Sequence, residues 1–206
     1  MNIKGTLFIV SAPSGAGKTA LVLAVIAKMA PFTAIKRVVT YTCRQPRTGE
    51  IDGQDYHFIT PDDFEQKIQQ GFFLEWSQSY GTYYGSPKSL IQDLEAGMCL
   101  LMIMDKAGMA TMAQCMPQSI RIGIEVGSLD VLKARLIARN TEALGQIEKR
   151  LTLAHTESLE NEHALSCHYI IKNDHFQTAV EDFEQIIRSY IKQSSHSDNA
   201  DQIDLK

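Results

Sequence analysis

"SAPSGAGKT", residues 11–19, is one glycine short of the phosphate-cradling pattern G-x-x-x-x-G-K-[ST], because Ala12 holds the slot of its first glycine. A phosphate needs several backbone N–H groups converging on one point, together with a cation. Gly15 and Gly17 allow close backbone approach, Lys18 can reach β- and γ-phosphates, and the Thr19 hydroxyl can ligate Mg2+. The missing glycine mainly serves the sharp exit from the preceding strand, where alanine suffices unless φ must be positive. A tight turn carrying a solvated lysine is the plain alternative. The flanks argue against it: "TLFIV" (6–10) is an apolar run suited to a buried parallel strand, and "TALVLAVIAKMA" (19–30) reads as a helix stopped by Pro31. Strand, glycine loop and helix in that order form the setting a nucleotide loop requires.

Outward from the loop, strand and helix signals keep alternating. "RVVTYT" (37–42) reads as a short strand leading into the turn-rich "RQPRTGEIDGQDYHF" (44–58). "TPDDFEQKIQQG" (60–71) has a helix start, with Thr60 as N-cap and Pro61 at the first position, and Gly71 suits its stop. A helix near 87–96 ends at Gly97, and the apolar strand 98–104 runs into Asp105. "SIRIGIEV" (119–126) alternates like a strand, 128–140 and 144–160 are amphipathic helices, 168–173 is a last strand and 176–193 a last helix. The tail 194–206 has little to bury and is expected to be disordered. The pattern predicts an α/β fold, a parallel β-sheet flanked by helices.

Composition narrows the class. A chain of 206 residues, 44% hydrophobic and 21% charged, suits one globular domain with a sizeable core. A net charge of −4 argues against a general nucleic-acid binder. Cys43, Cys99, Cys115 and Cys167 lack C-x-x-C spacing and read as thiols of a reducing compartment. His155, His163 and His168 lack a metal-binding spacing. The longest apolar run, 98–104, is too short to cross a bilayer, and the N-terminus does not read as a signal peptide. A cytoplasmic enzyme or binding domain, with neither nucleic acid nor membrane as partner, is the expectation. Monomer and homo-oligomer both stay open.

The loop alone does not separate a kinase, a GTPase and an ATPase. "LLMIMDKAG" (100–108) suits a Walker-B strand end or a GTPase D-x-x-G, but the companion N-K-x-D is absent, which disfavours a GTPase. Residues 37–86 say more. Arg44 and Arg47 flank Pro46, with Tyr56 following in the same turn-rich stretch. Two guanidiniums and a phenol suit a second phosphate group, since the arginine fork binds phosphate bidentately.

At these residues the chain resembles guanylate kinases. "SAPSGAGKT", "VTYTCRQPRTGEIDGQDYHF", "FLEWSQSYGTYYGS", "ARLIARN", "EKRL" and "KND" match that family in order, from about residue 4 to 192. The resemblance implies a phosphate-loop nucleoside triphosphate hydrolase-like fold in residues 1–193. Its core would be about 1–36, 87–135 and 150–193, with a GMP-binding insert at about 37–86 and a mobile lid at about 136–149. It implies ATP and GMP as substrates, with Mg2+ as cofactor beside Thr19. It puts Ser11, Ala12, Pro13, Ser14, Gly15, Ala16, Gly17, Lys18 and Thr19 around the ATP phosphates, and Asn173 near the adenine. Arg44, Arg47, Tyr56 and Tyr84 fall to the GMP phosphate, and Thr40, Glu75, Ser86 and Asp105 to the guanine. Arg139 and Arg150 would join Lys18 and Arg44 in catalysis as the lid closes.

The chemistry agrees with that map. Guanine presents N1–H and N2–H2 donors side by side, which one carboxylate such as Glu75 can accept together. Adenine offers a bare acceptor there and would leave the carboxylate unpaired. Several positions depart from the family: Ile103 for the first acid of D-x-D, Lys106-Ala107 after Asp105, Cys43 for a threonine, Thr40 for a commoner serine, and Ile137 and Asn140 in the lid. Solvation is the favoured reading for Lys106, and core packing for Tyr83. The expected activity is ATP-dependent phosphorylation of GMP to GDP. The alternative is a guanylate-kinase-like binding module that no longer turns over.

Overall fold

A computed structural model describes residues 3–13, 15–79, 81–127, 131–133, 137, 152 and 167–197. Five parallel strands form the main sheet in the order β2-β7-β1-β8-β9. They are β1 (Leu7–Ser11), β2 (Ile35–Arg37), β7 (Cys99–Met104), β8 (Ile120–Glu125) and β9 (Tyr169–Lys172). Every residue of β1 is buried, as the central strand of a sheet covered on both faces must be.

Strand alternation sorts β1 between two cores. Phe8 and Val10 pack with Leu21, Val22, Val25 and Met29 of α1 (Lys18–Met29) and with Phe183 and Ile187 of α5 (Phe176–Ser197). Leu7 and Ile9 face the other way, onto Leu90 and Leu94 of α3 (Leu90–Glu95) and Met109 and Met112 of α4 (Lys106–Cys115). All five strands are parallel, so β1, β7, β8 and β9 deliver Ser11, Asp105, Val126 and Asn173 to the same carboxyl-end rim. Open α/β sheets bind their ligands at that rim.

A second sheet, ordered β4-β3-β6-β5, comes from the stretch between the first two main-sheet strands in the chain and β7. It comprises β3 (Tyr41–Thr42), β4 (His57–Phe58), β5 (Phe73–Ser79) and β6 (Thr82–Pro87), with β6 antiparallel to both β3 and β5. Helix α2 (Pro61–Gln69) covers it. Thr60 caps that helix as expected, its Oγ1 accepting the Asp63 N–H at 3.1 Å. Phe64 of α2 stacks on Phe73 and Tyr83, with ring centroids 4.4 and 5.1 Å apart.

Two expectations need correction, and two elements fall where the sequence assigned none. The strand expected over 37–42 is two strands in different sheets, because the Val38 N–H still bonds Leu101 whereas the Thr40 carbonyl accepts the His57 N–H. Strands β5 and β6 pair antiparallel within the second sheet, in a stretch to which the sequence pattern assigned no element. Helix α4 follows Asp105 directly, because that side chain caps it by accepting the Gly108 N–H at 2.7 Å. The last helix continues through Ser197, into the stretch expected to be disordered from 194. Of the helix expected over 128–140, residues 131–133 and 137 are helical, and its other residues lie outside the described ones, as does most of 144–160.

Candidate active site

The loop after β1 is built by its glycines. Gly15 and Gly17 have φ of +91° and +86°, left-handed values that favour a residue without Cβ. The Ala16 N–H closes the turn on the Pro13 carbonyl at 3.2 Å. Ala12, in the glycine slot, packs its methyl against the edge of the first core, so the substitution is absorbed by apolar contact. Lys18 opens α1 and folds back, its Nζ donating to the carbonyls of Ala12 at 2.5 Å and Pro13 at 3.1 Å. Thr19 follows, half-buried in the first turn. Ser11 is buried at the end of β1. Asn173, after β9, is 1% exposed and donates from Nδ2 to the Ala16 carbonyl at 2.8 Å.

A second cluster lies on the small sheet and the loop before β4. The Arg44 guanidinium sits over the Tyr56 ring, 5.0 Å from its centroid, and Tyr84 is 6.1 Å from Tyr56, ring to ring. Burial opposes the charge on Arg44, but Glu50 outweighs it and holds the guanidinium above its ordinary range. Glu50 takes that fork in both oxygens, each at 2.6 Å, and also accepts the Arg47 backbone N–H at 2.7 Å. Burial would raise the Glu50 carboxyl, yet these bonds keep it below the usual carboxylate value. Burial pushes the Tyr56 phenol up, so it stays protonated as a donor.

The third cluster is a buried acid. Pairing of β5 with β6 sets Glu75 opposite Ser86, and the Ser86 hydroxyl donates to Glu75 Oε1 at 2.6 Å. Glu75 is 5% exposed, and its Oε2 has no hydrogen-bond partner among the described residues. Burial raises its pKa to about 7; the Ser86 bond works against that rise and the nearby Asp105 charge adds to it. A carboxylate with one oxygen anchored and the other unmatched is built to receive a donor from a ligand.

Comparisons with known proteins give the family. A family model described as guanylate kinase matches residues 4–190. The chain belongs to the guanylate kinase family. It is 43% identical over 186 residues to a guanylate kinase of Thiobacillus denitrificans, covering 90% of this chain and 86% of that one. It is 41% identical over 194 residues to a guanylate kinase of Protochlamydia amoebophila, covering 94% and 93%. A crystal structure of guanylate kinase from Anaplasma phagocytophilum matches with TM-score 0.70 at 24% identity, over 92% of this chain and 87% of that one, a likeness of fold.

Within this guanylate kinase fold, three groups of predicted residues come together: the loop with Asn173, Arg44 with Tyr56 and Tyr84, and Glu75 with Ser86 and Asp105. Arg47 is exposed, with its charge felt at Glu50. Thr40 is buried between the two sheets. Ser14, Arg139, Arg150 and Asn140 lie outside the described residues. Among the family departures, Cys43 accepts the Tyr83 N–H on Sγ at 3.3 Å, and Ile103 packs against the first core. Lys106, expected to be solvated, is half-buried, and Tyr83, expected in the core, is half-buried under Phe64.

Two residues escaped the sequence reading. Glu50 was visible only as an acid six residues after Arg44, a spacing that no regular element turns into contact. Arg37 ends β2 with its side chain 11% exposed and donates to the Asp55 carbonyl at 2.7 Å, tying the main sheet to the loop that carries Tyr56. Glu50→Gln is expected to raise the KM for GMP by about tenfold while sparing that for ATP, since the Arg44 fork loses the charge and one of the two oxygens that hold it. Steady-state kinetics with either substrate varied would check it; an unchanged or lowered KM for GMP would mean that Glu50 competes with the phosphate instead of orienting Arg44.

Proposed function

We propose that this enzyme transfers the γ-phosphoryl group of ATP to GMP, giving ADP and GDP. The observation that carries the acceptor assignment is Glu75, whose Oε2 lies buried without a partner among the described residues while Ser86 holds Oε1. Guanine supplies N1–H and N2–H2 on one edge, enough to satisfy that oxygen and share the other. Adenine would set an acceptor against it. Asp105 and Thr40 complete the guanine side of the proposal.

Arg44, Arg47, Tyr56 and Tyr84 would bind the GMP phosphate, and residues 11–19 the triphosphate. A GMP phosphate oxygen then attacks the γ-phosphorus as the bond to the bridging oxygen breaks and ADP leaves. That oxygen is already anionic near neutral pH, so no general base is required. Positioning and charge neutralisation by Lys18 and the arginines, Arg139 and Arg150 among them, account for the rate. The donor set at the loop fits Mg2+: Thr19 offers a hard hydroxyl oxygen in the first turn of α1, and that ion takes its other ligands from phosphate and water. When bound, it would supply charge neutralisation across the phosphates. Closure of the lid at about 136–149 over the insert at about 37–86 would exclude water that otherwise hydrolyses ATP.

No helix among the described residues is long and apolar enough to cross a membrane. A cytoplasmic setting belongs to the same proposal, supported by four cysteines without C-x-x-C spacing. The test is ADP release by the purified chain with MgATP and GMP, with AMP, CMP and UMP run in parallel. Turnover with GMP alone is expected. Binding of GMP without turnover on any monophosphate would favour the binding-module alternative.

A further inference from the structure

We propose that Asn173 is a positioning residue of the phosphate loop, aiming the Gly17 N–H at the triphosphate by holding the Ala16 carbonyl from behind. The inference rests on the nucleotide-loop reading above. Its geometry is short and rigid. The Asn173 backbone N–H is fixed to the Glu125 carbonyl at 2.8 Å, so the residue is anchored at the end of β8. Its side chain is buried, and its Nδ2 donates to the Ala16 carbonyl at 2.8 Å. Only the amide NH2 can face a carbonyl, which settles the orientation of the group.

A trans peptide is planar, with C=O and N–H pointing in opposite directions. Fastening the Ala16 oxygen on Asn173 therefore turns the Gly17 N–H away from β9, and the proposal places the triphosphate on that side. Gly17 is matched to this arrangement twice over: its φ is +86°, and a Cβ there would meet Asn173 Nδ2 at 2.8 Å. The adenine contact implied by family resemblance would have to use an amide whose NH2 is already engaged by the loop.

The experiment measures binding of MgATP, Mg-tripolyphosphate and GMP by calorimetry to the unmodified chain, Asn173→Ala and Asn173→Ser. A residue that shapes the loop should affect both triphosphates alike, because tripolyphosphate carries no base. Dissociation constants for ATP and tripolyphosphate are expected to rise by the same factor, about tenfold, with that for GMP unchanged. Loss for ATP alone would put Asn173 on the adenine and overturn the proposal. No loss for either, or an equal loss for GMP, would overturn it as well. Failure of the unmodified chain to bind either triphosphate would instead overturn the loop reading. Should both variants unfold, NMR of the unmodified chain decides: the Asn173 side-chain amide protons should shift alike with ATP and with tripolyphosphate, and a response to ATP alone would refute the positioning role.

Discussion

Lys18→Ala is expected to lower kcat for the ATP–GMP reaction by about 10³-fold or more while lowering the melting temperature by only a few degrees. The size follows from where charge develops. In phosphoryl transfer the negative charge spreads over the oxygens of the migrating group, and a cation held there in a water-poor site is worth far more than in bulk water. The small effect on stability follows from what Lys18 does in the ligand-free chain. Its Nζ rests on the carbonyls of Ala12 and Pro13, at the end of a helix that buries Leu21, Val22, Val25 and Met29. Two loop hydrogen bonds from a partly solvated ammonium contribute about 0.5–1.5 kcal/mol each, a few degrees of melting temperature, and the substitution does not touch the core. Single-turnover kinetics separate this from weakened binding, because chemistry is then read directly. Turnover retained within about tenfold would remove Lys18 from the transition state and with it the loop assignment.

The parts of the fold that could be read from sequence are those where hydrophobic pattern and local chemistry agree. Strand β1 is an unbroken apolar run because both its faces are covered, and the glycine pair after it needs left-handed φ. Thr60 and Pro61 announce α2 for local reasons, and the structure keeps both in those roles. The misses share a different cause. "FLEWSQS" and "TYYGSP" pair with each other, and the second also pairs with β3, so their strand character comes from partners, not from an internal alternation. Helix α4, "KAGMATMAQC", is mildly amphipathic and opens on Asp105, whose carboxylate suits a Walker-B strand end as well as a helix cap. In the site, the sequence singles out Arg44 for a phosphate and Glu75 for guanine, and the structure sets Arg44 beside Tyr56 and buries Glu75. Their partners were less legible. Glu50 reaches Arg44 through an irregular loop, and Arg37 meets Asp55 across two sheets, so neither contact follows from any sequence period.

Glu75→Gln should lose guanine preference and gain stability at the same time. The carboxylate presents two acceptors, of which Ser86 occupies one at 2.6 Å. Glutamine turns one of them into a donor, which then faces the N1–H or N2–H2 of guanine and leaves both unsatisfied. A site that reads a base through such pairs can discriminate by up to about 10⁴–10⁵, so the ratio of kcat/KM for GMP to that for AMP should fall by several orders of magnitude. The pH dependence has a definite sign. In the folded, ligand-free chain burial raises this carboxyl to about 7, from an ordinary 4.5. Between those values the folded chain holds a proton that the unfolded chain has released, so stability falls as pH rises from 4.5 toward 7. Each pH unit in that window costs about 1.4 kcal/mol, so at pH 8 the ionised carboxylate weakens the fold by a few kcal/mol on the order-of-magnitude scale of such shifts. Glutamine removes that loss, and its melting temperature should exceed that of the unmodified chain at pH 8 but not near pH 4. GMP needs the ionised form, so its affinity should weaken as pH falls below about 7 in the unmodified chain and lose that component in the variant. Melting curves at the two pH values and the GMP-to-AMP ratio decide the matter together. An unchanged ratio would take Glu75 out of the guanine site, and a variant less stable at pH 8 would mean that its ionised form is held by partners the fold provides rather than reserved for the base.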